Sequence, residues 1–244
     1  MTKQTEIILC IPGQWKGRSE IVTALATANP NEYVFEGTAI VHIPTNEKFE
    51  VNIQERNSKL TGSFKVASQG RLNDADLKNI DTHSFIVYLI GKGGNMAEAE
   101  KTMNAGQAFI NAGGLAIKIE TSGKAFTKVQ WAKVMAEKGE DKFYEAFIVM
   151  LRAKYKSVYS CGLHNLGLRD IVCDPELDSN QSTTLIRKFI FHLLKDKPEI
   201  RNGDVFSIYP KSLGFKIFEE KCKIYSSDDL FYNPYGMYRL QATK

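Results

Sequence analysis

The stretch YSCGLHNLGLRDIVCD, residues 159–174, gathers more reactive side chains than any other part of the chain. Cys161 and His164 stand at a spacing that could chelate a metal, Cys173 follows, and Asp170 and Asp174 lie close by. A structural zinc site takes four such ligands. No second closely spaced pair occurs, so no metal is expected. Cys161 could instead act as a nucleophile with His164 as its base. On a strand, residues three apart point to opposite faces, so this pair would meet only if the strand breaks at Gly162. The plainer reading is a buried cysteine and a hydrogen-bonded histidine at a sheet turn.

A second group lies in LIGKGGNMAEAEKTM, residues 89–103. An apolar strand runs into Gly91, Gly93, Gly94 and Asn95, and a helix follows. With the next strand, ending at Glu120, this makes a βαβ unit of a length that suits dinucleotide binding. A helix N-terminus there would present free N–H groups to a phosphate. The fingerprint needs a third glycine where the chain has Met96. The P-loop pattern fails as well, because Lys92 precedes Gly93 and not a hydroxyl residue. A turn is expected, and Gly91, Gly93, Gly94 and Asn95 stand as the ligand-binding candidates.

Lys118 and Glu120 share one side of a strand, opposite Ile117 and Ile119. An exposed ion pair is the ordinary reading. If the fold brings them to His164 and Asp170, the four would make a second candidate site. His42, next to Val41 and Ile43, and His192, beside an apolar helical stripe, read as structural. Trp15 reads as packing across a sheet end.

The elements that must position these residues alternate along the chain. Strands are predicted over 5–11, 32–43, 48–54, 62–68, 84–90 and 115–120, and helices over 18–29, 73–83, 96–113 and 126–138. A second run of strands is predicted over 144–155, 156–163 and 168–173, then a helix over 182–196 with Leu185, Ile186, Phe189 and Ile190 inward, then short strands. This order predicts an α+β fold. The sheets should be mixed and largely antiparallel with helices packed on one face. The chain is expected to form a single globular unit over 1–244, with 1–140 and 141–244 as candidate halves sharing a core.

The 244 residues are 43% hydrophobic and 25% charged, an ordinary globular balance. A net charge of +4 is too small to argue for nucleic acid. The densest basic strip, Arg152, Lys154 and Lys156, reads as a solvated strand face. The apolar run after the N-terminus is too short for a signal peptide, and no segment reaches membrane-spanning length. A cytoplasmic protein with reduced cysteines, no membrane partner and no cofactor is expected.

Four segments, CIPGQW, GGLAIKIETSGKAF, YSCGLHNLGLRD and NPYGMYRL, resemble in this order a bacterial family catalogued as domain of unknown function 4261. The resemblance runs from about Ile8 to Leu240. It implies a bacterial or phage-related soluble protein and carries no catalytic residues over. The matching positions are Gly113, Gly114, Lys118, Glu120, Cys161, Gly162, His164, Gly167, Asp170, Asn233, Pro234 and Gly236. With no complete catalytic motif, the expected function is a non-enzymatic protein-binding or regulatory module, such as one acting in bacterial conflict. The alternative is a small-ligand or nucleotide-binding protein, or an enzyme.

Overall fold

The computed structural model describes residues 5–153, 157–174, 177–210 and 212–243. The chain divides into two compact units, Thr2–Glu137 and Lys138–Lys244. Each carries one sheet. Both are largely antiparallel with helices interspersed, so the fold is α+β.

The first unit runs β1 (Glu6–Gly13), α1 (Arg18–Ala28), β2 (Tyr33–Glu36), β3 (Ala39–His42), β4 (Glu47–Glu55), α2 (Leu60–Ser68), α3 (Asp74–Asp81), β5 (Phe85–Lys92), α4 (Met96–Asn111), β6 (Ala116–Ile119), β7 (Lys124–Thr127) and α5 (Lys128–Ala136). The sheet order is β2-β3-β4-β5-β1-β6-β7. Every neighbouring pair is antiparallel. The segment 32–43 is therefore a hairpin and not one strand, with Gly37 at φ 59 in its turn. β5 and β6 run in the same direction but are separated by antiparallel β1. A dinucleotide βαβ unit places its two strands in one parallel sheet with no opposed strand between them.

Alternation on β1 decides what covers each face. Leu9 points at α4, where Gly106 lets it approach so closely that an added Cβ would lie 2.6 Å from its Cδ1. Cys10 points the other way, into a core with Leu60, Phe64, Leu77, Ile80 and Ile86. α2 and α3 thus lie on the face opposite α4. Residues 62–68, expected as a strand, are helical. Leu60, Phe64 and Ala67 recur at helical spacing and are buried, while Val66 is 79% exposed. Asn73 caps α3, accepting from the Asp76 N–H at 2.9 Å.

The second unit runs α6 (Gly139–Phe147), β8 (Val149–Arg152), β9 (Val158–Cys161), a 3-10 turn (Leu163–Leu166), β10 (Asp170–Cys173), α7 (Ser179–Asp196), β11 (Val205–Ser207), β12 (Gly214–Glu220) and β13 (Met237–Ala242). Its order is β11-β12-β13-β10-β9-β8, and among the described residues only β10 and β13 pair in parallel. The strand expected over 144–155 is corrected. Phe143, Ala146 and Phe147 form a buried helical stripe, and the strand starts only at Val149. α7 buries Leu185, Ile186, Phe189, Ile190, Leu193 and Leu194. Burying each such side chain stabilises by roughly 1.5–3 kcal/mol. Asp178 caps α7 by accepting from the Gln181 N–H at 2.9 Å.

Candidate functional site

The glycine loop is a turn in which two N–H groups are engaged. Gly93 N–H donates to Thr5 O at 2.8 Å, and the Asn95 side chain accepts from Glu98 N–H at 2.9 Å. Gly94 has φ 88, a conformation glycine adopts without strain. Gly91 belongs to β5, and a Cβ there would overlap the Thr102 side chain. Gly91 therefore sets how closely α4 packs on its strand.

Lys118 and Glu120 form an ion pair at 2.9 Å, but neither is a freely solvated surface group, at 12% and 18% side-chain exposure. Lys118 is the cross-strand neighbour of Cys10, which is in turn opposite Tyr88. Lys118 also donates to Ser63 Oγ at 3.3 Å. Burial pushes the Cys10 thiol up, with the Glu120 charge adding to it. A thiol held neutral is a poor nucleophile. His164 and Asp170 belong to the second unit, so the two pairs are built on different sheets.

Asp170 is the centre of a buried knot. Its carboxylate accepts from Ser160 Oγ at 3.1 Å, Leu163 N–H at 3.2 Å and Asn233 Nδ2 at 2.7 Å. Asn233 also donates to Leu168 O at 2.9 Å. Burial pushes the Asp170 carboxyl up to about 7, even though Asn233, Leu163, Ser160 and Gly162 all donate to it. Gly162 and Gly167, at φ 111 and 77, bracket the 3-10 turn that contains buried His164. Cys161 and Cys173 face opposite sides of the sheet. Cys161 packs with Tyr159, Val172 and Met237, while Cys173 lies near Ser182 O on α7. Burial raises both thiols, Cys173 to about 12. Among the described residues, no group of three or more His, Cys, Asp or Glu could hold a metal ion. Asp174 pairs with Arg239 at 2.9 Å. Lys154 and Lys156 lie outside the described residues.

Trp15 and His83 serve packing. Trp15 is 4% exposed and donates to Ala112 O at 2.9 Å. His83 is buried, with Nδ1 at 2.8 Å from Ile80 O and Nε2 accepting from Asn57 N–H at 3.2 Å.

The cavity with convergent polar groups lies elsewhere in the first unit, where the β2–β3–β4 meander faces α4 and the end of α1. It has a volume of about 360 Å³. Three of its walls are charged side chains: Glu32, Glu47 and Lys101. Lys101 is held between Glu47 at 2.7 Å and Glu98 at 2.8 Å. The Tyr33 and His42 rings lie 5.0 Å apart across β2 and β3, and both line the cavity. Burial, then the charges of Glu32 and Glu47, push the Tyr33 hydroxyl up to about 12.

The fourth wall is a relay of side-chain amides whose polarity is fixed. Asn29 Nδ2 donates to two backbone carbonyls, Leu25 O at 2.9 Å and Ala108 O at 3.0 Å. Carbonyls only accept, so the Asn29 oxygen must face Asn111, which donates to it at 3.2 Å. The Asn111 oxygen then accepts from Gln107 Nε2 at 2.7 Å. The relay ends at Gln107 Oε1, which is buried and has no donor among the described residues. Leaving such an acceptor unpaired costs about 1–3 kcal/mol.

None of Asn29, Tyr33, Glu47, Lys101, Gln107 or Asn111 is a candidate on sequence grounds. A signal does exist. Lys101, Asn104, Gln107 and Asn111 repeat every three or four residues along α4, the spacing of one helical face. No protein-family model matches this chain, and no curated protein or solved structure matches it either.

Proposed function

We propose that the first unit binds a small polar organic molecule in the cleft between the β2–β3–β4 meander and α4. The observation that carries this reading is a cavity of about 360 Å³ whose polar walls are held in place before any ligand arrives. That volume falls at the lower end of small-molecule sites. The amide relay and the Lys101 pairs fix the donors and acceptors, so little ordering is needed on binding.

The test is ligand-observed NMR of the full chain against a library of small polar compounds, repeated with Asn104→Trp. Asn104 is an exposed residue on the cleft wall, so the larger side chain fills the cleft without disturbing the core. Hits that disappear in the variant are expected. A library in which every hit survives the substitution would sink the reading.

A second reading is the protein-binding module expected from the sequence. It is favoured by one edge of the second sheet. Among the described residues β11 has a neighbour on one side only; Val205 on this strand is 56% exposed, and Tyr209 and Leu213 in the connection to β12 are 63% and 52% exposed. An exposed apolar edge can take an added strand from a partner. A complex formed with the full chain and lost in the Val205→Asp, Leu213→Asp variant is the expected outcome. Equal retention by both chains would remove this edge from consideration.

Membership of the unknown-function family, with its bacterial and cytoplasmic setting, belongs to the same proposal. Its support is the resemblance of the four segments, in their order, from about Ile8 to Leu240.

A further inference from the structure

Resting on the cleft reading above, we propose that its ligand is a small organic cation, a primary amine or guanidinium compound, seated among Glu32, Glu47 and the Tyr33 and His42 rings. Two observations agree on the sign of the charge. Among the lining residues two carboxylates, Glu32 and Glu47, face one ammonium, Lys101. A third carboxylate, Glu98, is bound to that same ammonium, so its charge is already more than matched. An anionic ligand would have to displace Glu47 or Glu98 to reach it.

The amide wall does not decide between cation and anion: Asn111 and Gln107 each spend one of their two N–H groups in the relay, and Gln107 Oε1 is a buried open acceptor. The charge of the lining sets the choice. The Tyr33 ring adds an aromatic group of the kind that attracts cations. At about 30 Å³ per water-sized group, a cavity of about 360 Å³ holds a molecule of roughly a dozen non-hydrogen atoms at most.

The decisive experiment titrates the full chain with four matched probes: 1,4-diaminobutane, butylguanidine, 1,4-butanediol and glutarate. Ligand-observed NMR reads the affinities. The two cations are expected to bind, the diol to bind about tenfold more weakly or worse, and glutarate not at all. Glu47→Gln should weaken the cations about tenfold, the effect of one ion-pair-scale loss. Glu32→Gln, at an exposed position that leaves the fold untouched, should weaken them about threefold. Asn104→Trp should abolish binding. If glutarate or the diol binds as tightly as the cations and is lost in Asn104→Trp, the cation inference falls and the cleft reading stands. If none of the four binds while other library compounds bind in a way Asn104→Trp abolishes, the result is the same. Cation binding that ignores both Glu substitutions and Asn104→Trp overturns the inference and the cleft reading together.

Discussion

Asp170 couples the stability of the second unit to pH in the sense opposite to most aspartates. Its folded value, about 7, lies above that of an aspartate in an unfolded chain. Between about pH 4 and 7 the folded chain keeps a proton that the unfolded chain has released. This contribution is complete below about pH 4 and is lost as pH rises through 7. Chemical denaturation across that window should show stability falling by up to about 1.4 kcal/mol per pH unit. Asp170→Asn should flatten the slope. It should also lower stability outright, because its new amide would face the donating amide of Asn233. A slope that Asp170→Asn leaves unchanged would assign the proton elsewhere. Gly236 makes a second single-residue test. It sits at φ 92, and a Cβ would overlap Glu220 O. Gly236→Ala should cost about 2 kcal/mol or more, read as a lower urea midpoint. A midpoint within error of the native chain would show that the NPYG turn can relax.

At the scale of elements, Gly91 and Thr102 set the approach of α4 to β5. Gly91→Ala should destabilise by about 1–3 kcal/mol. Thr102→Ala in the same chain should recover part of that loss, giving a coupling above about 0.5 kcal/mol in a double-mutant cycle. Additive losses would mean that the strand and the helix are separated by some other means. Elements with one unbroken periodicity were legible in the sequence. α4, α7 and β5 were expected within a few residues of their observed ends. The misread elements share a cause. In 62–68 the apolar residues alternate enough to imitate a strand, and only Leu60, just outside that window, reveals the helical repeat with Phe64 and Ala67. In 144–155 the helical stripe of α6 runs into β8 with no glycine or proline to mark the change. The Asp170 knot was half legible, since its residues attracted notice as a reactive cluster. Its partner Asn233 lies sixty-three positions away. The cleft was hidden for the same reason. Its walls come from α1, the β2–β3–β4 meander and α4, and each contributes residues that pass for ordinary surface when read alone.

At the scale of the whole molecule, each unit has its own sheet and its own apolar core. Every residue named in the cleft lies within Thr2–Glu137. A fragment ending at Glu137 should therefore unfold in one cooperative transition and keep the amide signals of Asn29, Asn111 and Gln107 at their full-length positions. A fragment without a cooperative urea transition would show that the first core is incomplete alone.

β1, an interior strand of the first unit's sheet, is synthesised before both of its neighbours. β1 pairs with β5 and with β6, through contacts such as Leu9 to Leu89 and Leu9 to Ile119. Neither neighbour exists when β1 leaves the ribosome. An apolar stretch, EIILCIPG, must therefore wait until the chain as far as Ile119 has been translated, exposed to chaperones and to other nascent chains. Pairings this distant in sequence also make folding slow. Codon-level pausing before Phe85 would lengthen that exposure, whereas pausing after Ile119 has emerged would let β1 find both partners at once.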